Sequence, residues 1–195
     1  MSESDQAIAI AVRVLGQIVH EIWLTRDIET ACPTHLTRNQ FMILNLLTAR
    51  PGFVVGEIAH VLRVTPPAVC RAVDQLEALE LVERRTRVRD RRTHEVMLRP
   101  AGHSIVARFC DVSSARFEEA LDGFNADEKQ TLLKLLRRLV HNSVENESDT
   151  DTICLQCFDR SGRHCVLPQS DDRCLRRREN QPGTTAKRLA PTGEE

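Results

Sequence analysis

The most constraining stretch of this chain is a run of short, sharply punctuated segments between Phe53 and Leu98. Phe53-Val54-Val55 reads as a short strand and Gly56 to Leu62 as a short helix. Thr65-Pro66-Pro67 then starts another helix, with Thr65 as N-cap and Pro66 at the first helical position, where the missing N–H has no partner to lose. Its apolar spacing predicts that Val69, Val73, Leu76 and Leu79 are buried. Leu81 to Arg85 and Thr93 to Leu98 read as strands, joined by a turn of arginines and small residues, which predicts a hairpin. Two short helices with a tight turn between them and a hairpin behind them define a small module. Its own core is too slight to satisfy long apolar helices on either side.

Such helices are present. Residues 5 to 29 carry Ile8, Val12, Leu15, Ile18, Val19, Ile22 and Trp23 at steps of three and four, the mark of an amphipathic helix that ends before Pro33. A second begins at Thr37, where Thr37 and Gln40 have capping-box spacing, and Arg50-Pro51-Gly52 stops it. Pro100-Ala101-Gly102 opens a long helix reaching about Leu121. Asn125 with Glu128 caps a last one through Leu132, Leu133, Leu135, Leu136, Leu139 and Val140. The expected fold is mainly α: a winged helix-turn-helix, with a three-helix core and β-hairpin wing, flanked by N- and C-terminal dimerisation helices. The leucine strip of the last helix is most simply buried against a second copy, so a homodimer is expected.

Composition agrees with a soluble core of aliphatic residues. Of 195 residues, 41% are hydrophobic and only 4% aromatic, with Trp23 the single tryptophan and no tyrosine. The net charge is -1, so affinity for a polyanion has to come from a local patch. The acidic, polar start has neither the basic nor the apolar region of a secretory signal, and no uninterrupted apolar run is of membrane-spanning length. The expected place is therefore the cytoplasm, with no membrane partner.

The stretch VGEIAHVLRVTPPAVCRAVDQLEALELVERR, followed by RVRDRRTHEVMLRPAG, resembles the MarR family of bacterial regulators, and the likeness spans roughly residues 5 to 146. The resemblance implies that the helix from Thr65 reads the major groove of double-stranded DNA, with the Asp-Arg-Arg turn at the tip of the wing. It further implies that Asp90 orients a neighbouring arginine while Arg92 enters the minor groove. Independently of the family, removing the buried positions of that helix leaves Pro67, Ala68, Cys70, Arg71 and Asp74 facing outward. Small residues let the backbone approach the groove floor, and Arg71 can place two donors on a guanine edge. The plain alternative is a solvated surface arginine. The hairpin is basic: Arg84, Arg85, Arg87, Arg89, Arg91 and Arg92 occupy six of nine positions, opposed by Glu83 and Asp90. The DNA-contacting set is thus Thr65, Pro67, Ala68, Cys70, Arg71, Arg87, Arg89, Asp90, Arg91 and Arg92. A sequence-specific regulator, a repressor by analogy, acting as a homodimer on palindromic operators is the expected function. A small-molecule effector is a further expected partner, with His20, Trp23 and His35 as candidate lining residues. A core tryptophan and surface histidines explain those three equally well.

Residues 154 to 174 hold four cysteines, Cys154, Cys157, Cys165 and Cys174, at spacings of x2, x7 and x8. In a reducing compartment a disulfide staple is disfavoured. A C-x2-C pair with two further thiols can close a tetrahedral zinc site or hold a [4Fe–4S] cluster, and the spacing leaves both open, beside a metal-free thiol switch. The resulting domain plan is a winged-helix and dimerisation domain over 1–146, an acidic linker over 147–153, a four-cysteine metal-binding segment over 154–174 and a disordered tail over 175–195. Such a module would make the regulator responsive to redox or metal status. Two other classes compete. A winged helix used for protein interaction, with a structural zinc site, would not need the arginine concentration of the hairpin. An enzyme would need an open metal position or a nucleophile motif, and the chain has no HExxH, G-x-S-x-G or P-loop pattern.

Overall fold

The computed structural model describes residues 1–87, 90–144, 146–159 and 164–167, with the side chains of 87, 90–93, 147 and 148 outside the description. The chain forms two compact units, Met1–Lys129 and Gln130–Glu195.

The first unit opens with a helix of 29 residues, Glu3–Ala31. It comprises α1 (Glu3–Gln17), a π-helical stretch (Ile18–Trp23) and α2 (Leu24–Ala31). Ser2 and Asp5 close a capping box at its start. The expected apolar stripe is present, but α1 buries none of it: Ile8, Ile10, Val12, Val14 and Leu15 are all exposed. By length and composition this helix could cross a membrane, a property that its interrupted apolar runs conceal in the sequence. α2 is different, because Leu24, Asp27, Ile28 and Ala31 are buried.

α3 (Arg38–Leu47) starts as its sequence predicts, with Thr37 and Gln40 exchanging capping bonds. α4 (Val55–Leu62) and α5 (Pro66–Ala78) form the helix-turn-helix, joined through Arg63 in the left-handed region at φ 54°. The expected strand at Phe53-Val54-Val55 shrinks to a bridge of Phe53 to Val96, because Val55 is already helical. α5 buries Val69, Val73 and Leu76. Leu79 does not join them: the helix ends at Ala78, and Leu79, in the C-cap position, is 38% exposed.

β1 (Val82–Arg87) and β2 (Asp90–Leu98) form an antiparallel hairpin in register from Val82 opposite Leu98 to Thr86 opposite His94, with a shift before Arg87 opposite Asp90. α6 (Pro100–Ala120) returns across α2 and α3. The core between these elements centres on Phe41, Phe53, Phe109, Leu44, Ile58, Leu76, Val73 and Val96, with the Phe41 and Phe109 rings 4.4 Å apart. Burying each such side chain contributes about 1.5–3 kcal/mol, so this core dominates the stability of the module.

α7 (Ala126–Ser143) leads into the second unit, capped by Asn125, whose Oδ1 accepts from the amides of Asp127 and Glu128. Its leucines at 133, 135, 136 and 139 are exposed. α8 (Glu147–Gln156) occupies the stretch read as an acidic linker. Asn146 caps it by accepting from the amide of Asp149, and acidic residues in its first turns suit the positive end of the helix dipole. The expected disordered tail over 175–195 lies outside the described residues.

Candidate nucleic-acid interface

α5 and the β1–β2 hairpin are the elements that carry the predicted contacts, and several bonds fix one against the other. On α5, Thr65, Pro67, Cys70, Arg71 and Asp74 are exposed and Ala68 is half-buried. This is the outward set that the apolar spacing predicted. Thr65 occupies the N-cap position without a side-chain cap bond, so its hydroxyl takes no part in capping, and Pro66 fills the first helical position. The helix is tied to α3 by Gln40, 6% exposed, whose Nε2 donates to Gln75 Oε1 at 2.7 Å.

Arg84 joins α5 to the wing. Its guanidinium pairs with Glu77 and reaches Asp74 Oδ1 at 2.5 Å, while its backbone N–H donates to Glu77 Oε1 at 3.1 Å. Partial burial alone would disfavour the charged guanidinium. Hydrogen bonds to Asp74 and Glu77 and the charge of both carboxylates outweigh that and push its pKa above the ordinary arginine value. Arg85 in turn lies 2.5 Å from Glu83. The sequence reading set only Glu83 and Asp90 against the wing arginines. Asp74 and Glu77 belong to the same balance, being brought across from α5. Arg84 therefore holds the wing in place and is not part of the free charge. The side chains of Arg87, Asp90, Arg91 and Arg92, and the whole of Arg89, lie outside the described residues.

The base of the wing is fixed on its other side. Phe53 and Val96 exchange both backbone hydrogen bonds, at 3.1 and 2.8 Å. Arg50 stacks on the Phe53 ring at 4.0 Å and pairs with Glu57 at 2.8 Å. The Arg99 amide donates to Leu81 O at 3.0 Å, and a Cβ on Gly102 would meet that same carbonyl at 2.5 Å. The Arg-Pro-Ala-Gly segment thus needs its glycine for close approach of α6 to the wing.

The three candidate effector residues have separate surroundings. His20 faces Glu21 at 2.9 Å, Trp23 meets Phe117 edge-on at 5.0 Å, and His35 is exposed ahead of α3.

In the second unit, Cys154 is buried on the last turn of α8, and Cys157 is that helix's C-cap. Cys165 packs against the cluster formed by Cys154 and Leu167. Among the described residues, no three His, Cys, Asp or Glu side chains are gathered at metal-holding separation, and Cys174 lies outside the description.

A helix-turn-helix with a paired wing, held between long flanking helices, defines a winged-helix protein. Residues 36–93 match the model of the MarR family. Solved structures share the architecture. YusO from Bacillus subtilis is 21% identical, with a TM-score of 0.60 over 73% of this chain and 100% of its own. Wild-type MarR from E. coli is 26% identical, with a TM-score of 0.52 over 65% of this chain and 96% of its own. A MepR mutant from S. aureus, solved bound to an oligodeoxyribonucleotide, is 21% identical, with a TM-score of 0.53 over 66% of this chain and 94% of its own.

Proposed function

We propose that the chain is a sequence-specific, double-stranded-DNA-binding transcription regulator that works in the cytoplasm as a homodimer on palindromic operators, repressing by occupying the promoter. The observation that carries the reading is the outward face of α5, with Pro67, Ala68, Cys70 and Arg71 exposed or half-exposed, held beside the wing by Arg84. Small residues there allow close approach to bases, and Arg71 supplies the fork that recognises guanine. Arginines of the wing suit the negative potential of a narrow minor groove.

Support for the dimer comes from apolar surface. The exposed aliphatic face of α1 and the exposed leucines of α7 are more than scattered surface hydrophobes. A second copy is a better partner for α1 than lipid, because Arg13, Glu21, Arg26, Asp27 and Glu29 punctuate the long helix at charge intervals a bilayer disfavours. Responsiveness to redox or metal status through the C-terminal cysteines, and to a small-molecule effector, belongs to the same proposal.

The test is selection of duplexes from a random-sequence library by the full chain, followed by sedimentation of the complex. Enrichment of an inverted repeat bound by two chains supports the reading. Recovery of no sequence, with no dependence of binding on salt, would overturn it.

A further inference from the structure

Two cysteines at the end of α8 take no part in DNA contact. We propose that Cys154 and Cys157 form a reversible dithiol–disulfide switch, oxidised by thiol exchange with a low-molecular-weight disulfide. The proposal deepens the redox responsiveness proposed above and rests on that part of the reading; its chemistry is tested without DNA.

Three observations carry it. First, the last turn of α8 brings the pair together. The Cys157 amide donates to Cys154 O at 3.2 Å, a bond from residue i+3 to residue i. Such a turn holds its end Cα atoms within about 7 Å, and a disulfide spans about 4.4–6.8 Å. Helical neighbours three apart have Cβ atoms about 5–6 Å apart where a disulfide needs about 3.5–4.5 Å, so the turn has to tighten. It has the freedom to do so, because Cys157 is the C-cap, at φ -63° and ψ 140°, and residues 157–159 are not helical. Secondly, the two thiols differ in access. Cys157 is half-buried and within reach of a small disulfide, while Cys154 is 4% exposed. The Asp159 amide donates to Cys157 Sγ at 3.3 Å and holds the sulfur beside the turn. Thirdly, Cys154 helps to seat α8 against the end of α7. It clusters with Leu167, and Val140 and Val144 pack on that cluster. Tightening the turn draws Cys154 away from these partners and loosens the end of α7.

The exchange has two steps. Cys157 Sγ attacks one sulfur of the small disulfide; a mixed disulfide forms, the old S–S bond breaks, and the departing thiolate takes up the Cys157 proton through solvent. Cys154 Sγ then attacks Cys157 Sγ, which forms the intramolecular bond and releases the second small thiol with the Cys154 proton. The chain loses two electrons, and the small disulfide gains them as it becomes two thiols.

The experiment equilibrates the full, reduced chain with mixtures of oxidised and reduced glutathione, alkylates the remaining thiols and digests with trypsin. Residues 139–160 form one peptide with Cys154 and Cys157 as its two cysteines, and Cys165 falls in another. The expected result is that the 139–160 peptide resists alkylation and is lighter by two hydrogen atoms, until a reductant restores both thiols. Hydrogen exchange at the amides of residues 139–144 speeds up on oxidation by at least about fivefold, the low end of coupling between two sites. Cys154→Ser stops at the mixed disulfide on Cys157, and Cys165→Ser closes the bridge as the wild-type chain does. Glutathione on the exposed Cys70 shows that the oxidant has acted. The proposal is overturned if the wild-type peptide keeps two alkylatable thiols while Cys70 is modified, or if Cys165→Ser loses the bridge. Equal exchange at residues 139–144 in both states also overturns it. The wild-type measurements decide the matter even if a variant fails to fold. A chain that switches but selects no duplex upholds the switch and overturns the DNA reading.

Discussion

Arg84 on β1 lies 2.5 Å from Asp74 on α5, and its guanidinium also pairs with Glu77 one turn further along the same helix. One side chain thus sets α5 against the wing and pairs with two acids of that helix. Replacing Arg84 by Met removes the pairing and keeps the aliphatic stem. Because Asp74 is well exposed, solvent screening holds the expected loss of stability to about 1 kcal/mol. The larger effect falls on DNA, where discrimination between a selected site and random duplex shrinks. Urea unfolding and competition binding separate the two quantities.

Asp27 is 2% exposed in its side chain and pairs with Arg116 at 2.6 Å, linking α2 to α6. Arg116→Met strands a buried carboxylate, at a cost of about 3 kcal/mol. Asp27→Asn with Arg116→Met removes both charges and recovers part of the loss. A double-mutant cycle of urea midpoints checks this.

Gly102 has no room for a side chain, since a Cβ would meet Leu81 O at 2.5 Å and Leu98 Cδ1 at 2.6 Å. Gly102→Ala therefore costs about 1–3 kcal/mol. Thermal unfolding should show a clear fall in Tm, and no change would mean that α6 and the wing do not meet this closely.

Glu80 adopts φ 58° in the turn between α5 and β1, a region where side chains are strained by about 1–2 kcal/mol. Its contact with Arg99, 3.7 Å away and solvent-exposed, contributes little. Glu80→Gly should leave the fold intact and raise stability by up to about 1 kcal/mol, read as a higher Tm.

These residues mark how far the sequence could be read. The punctuated stretch from Thr65 to Gly102 predicted α5, its outward face and the hairpin, because caps, prolines and apolar period are local signals. The Arg84 bridge escaped detection because it joins residues that only the folded chain brings together. Leu79 was misplaced by extending the helical period one residue past the end of α5. The π-helical stretch has no sequence signature of that kind. α8 did have one, since Asn146 ahead of acidic residues is a helix start, but the poor apolar content of that stretch hid it.

The central claim is that two copies of this chain lay Arg71 and the wing arginines across adjacent grooves of one duplex. The direct test is the salt dependence of binding to a selected inverted repeat, measured for the wild-type chain and for Arg71→Ala with Arg92→Ala. Affinity is predicted to fall by at least about 1–3 kcal/mol, with a shallower slope against log salt and weaker preference at one guanine position. Unchanged affinity, slope and preference in a folded double variant would contradict the account.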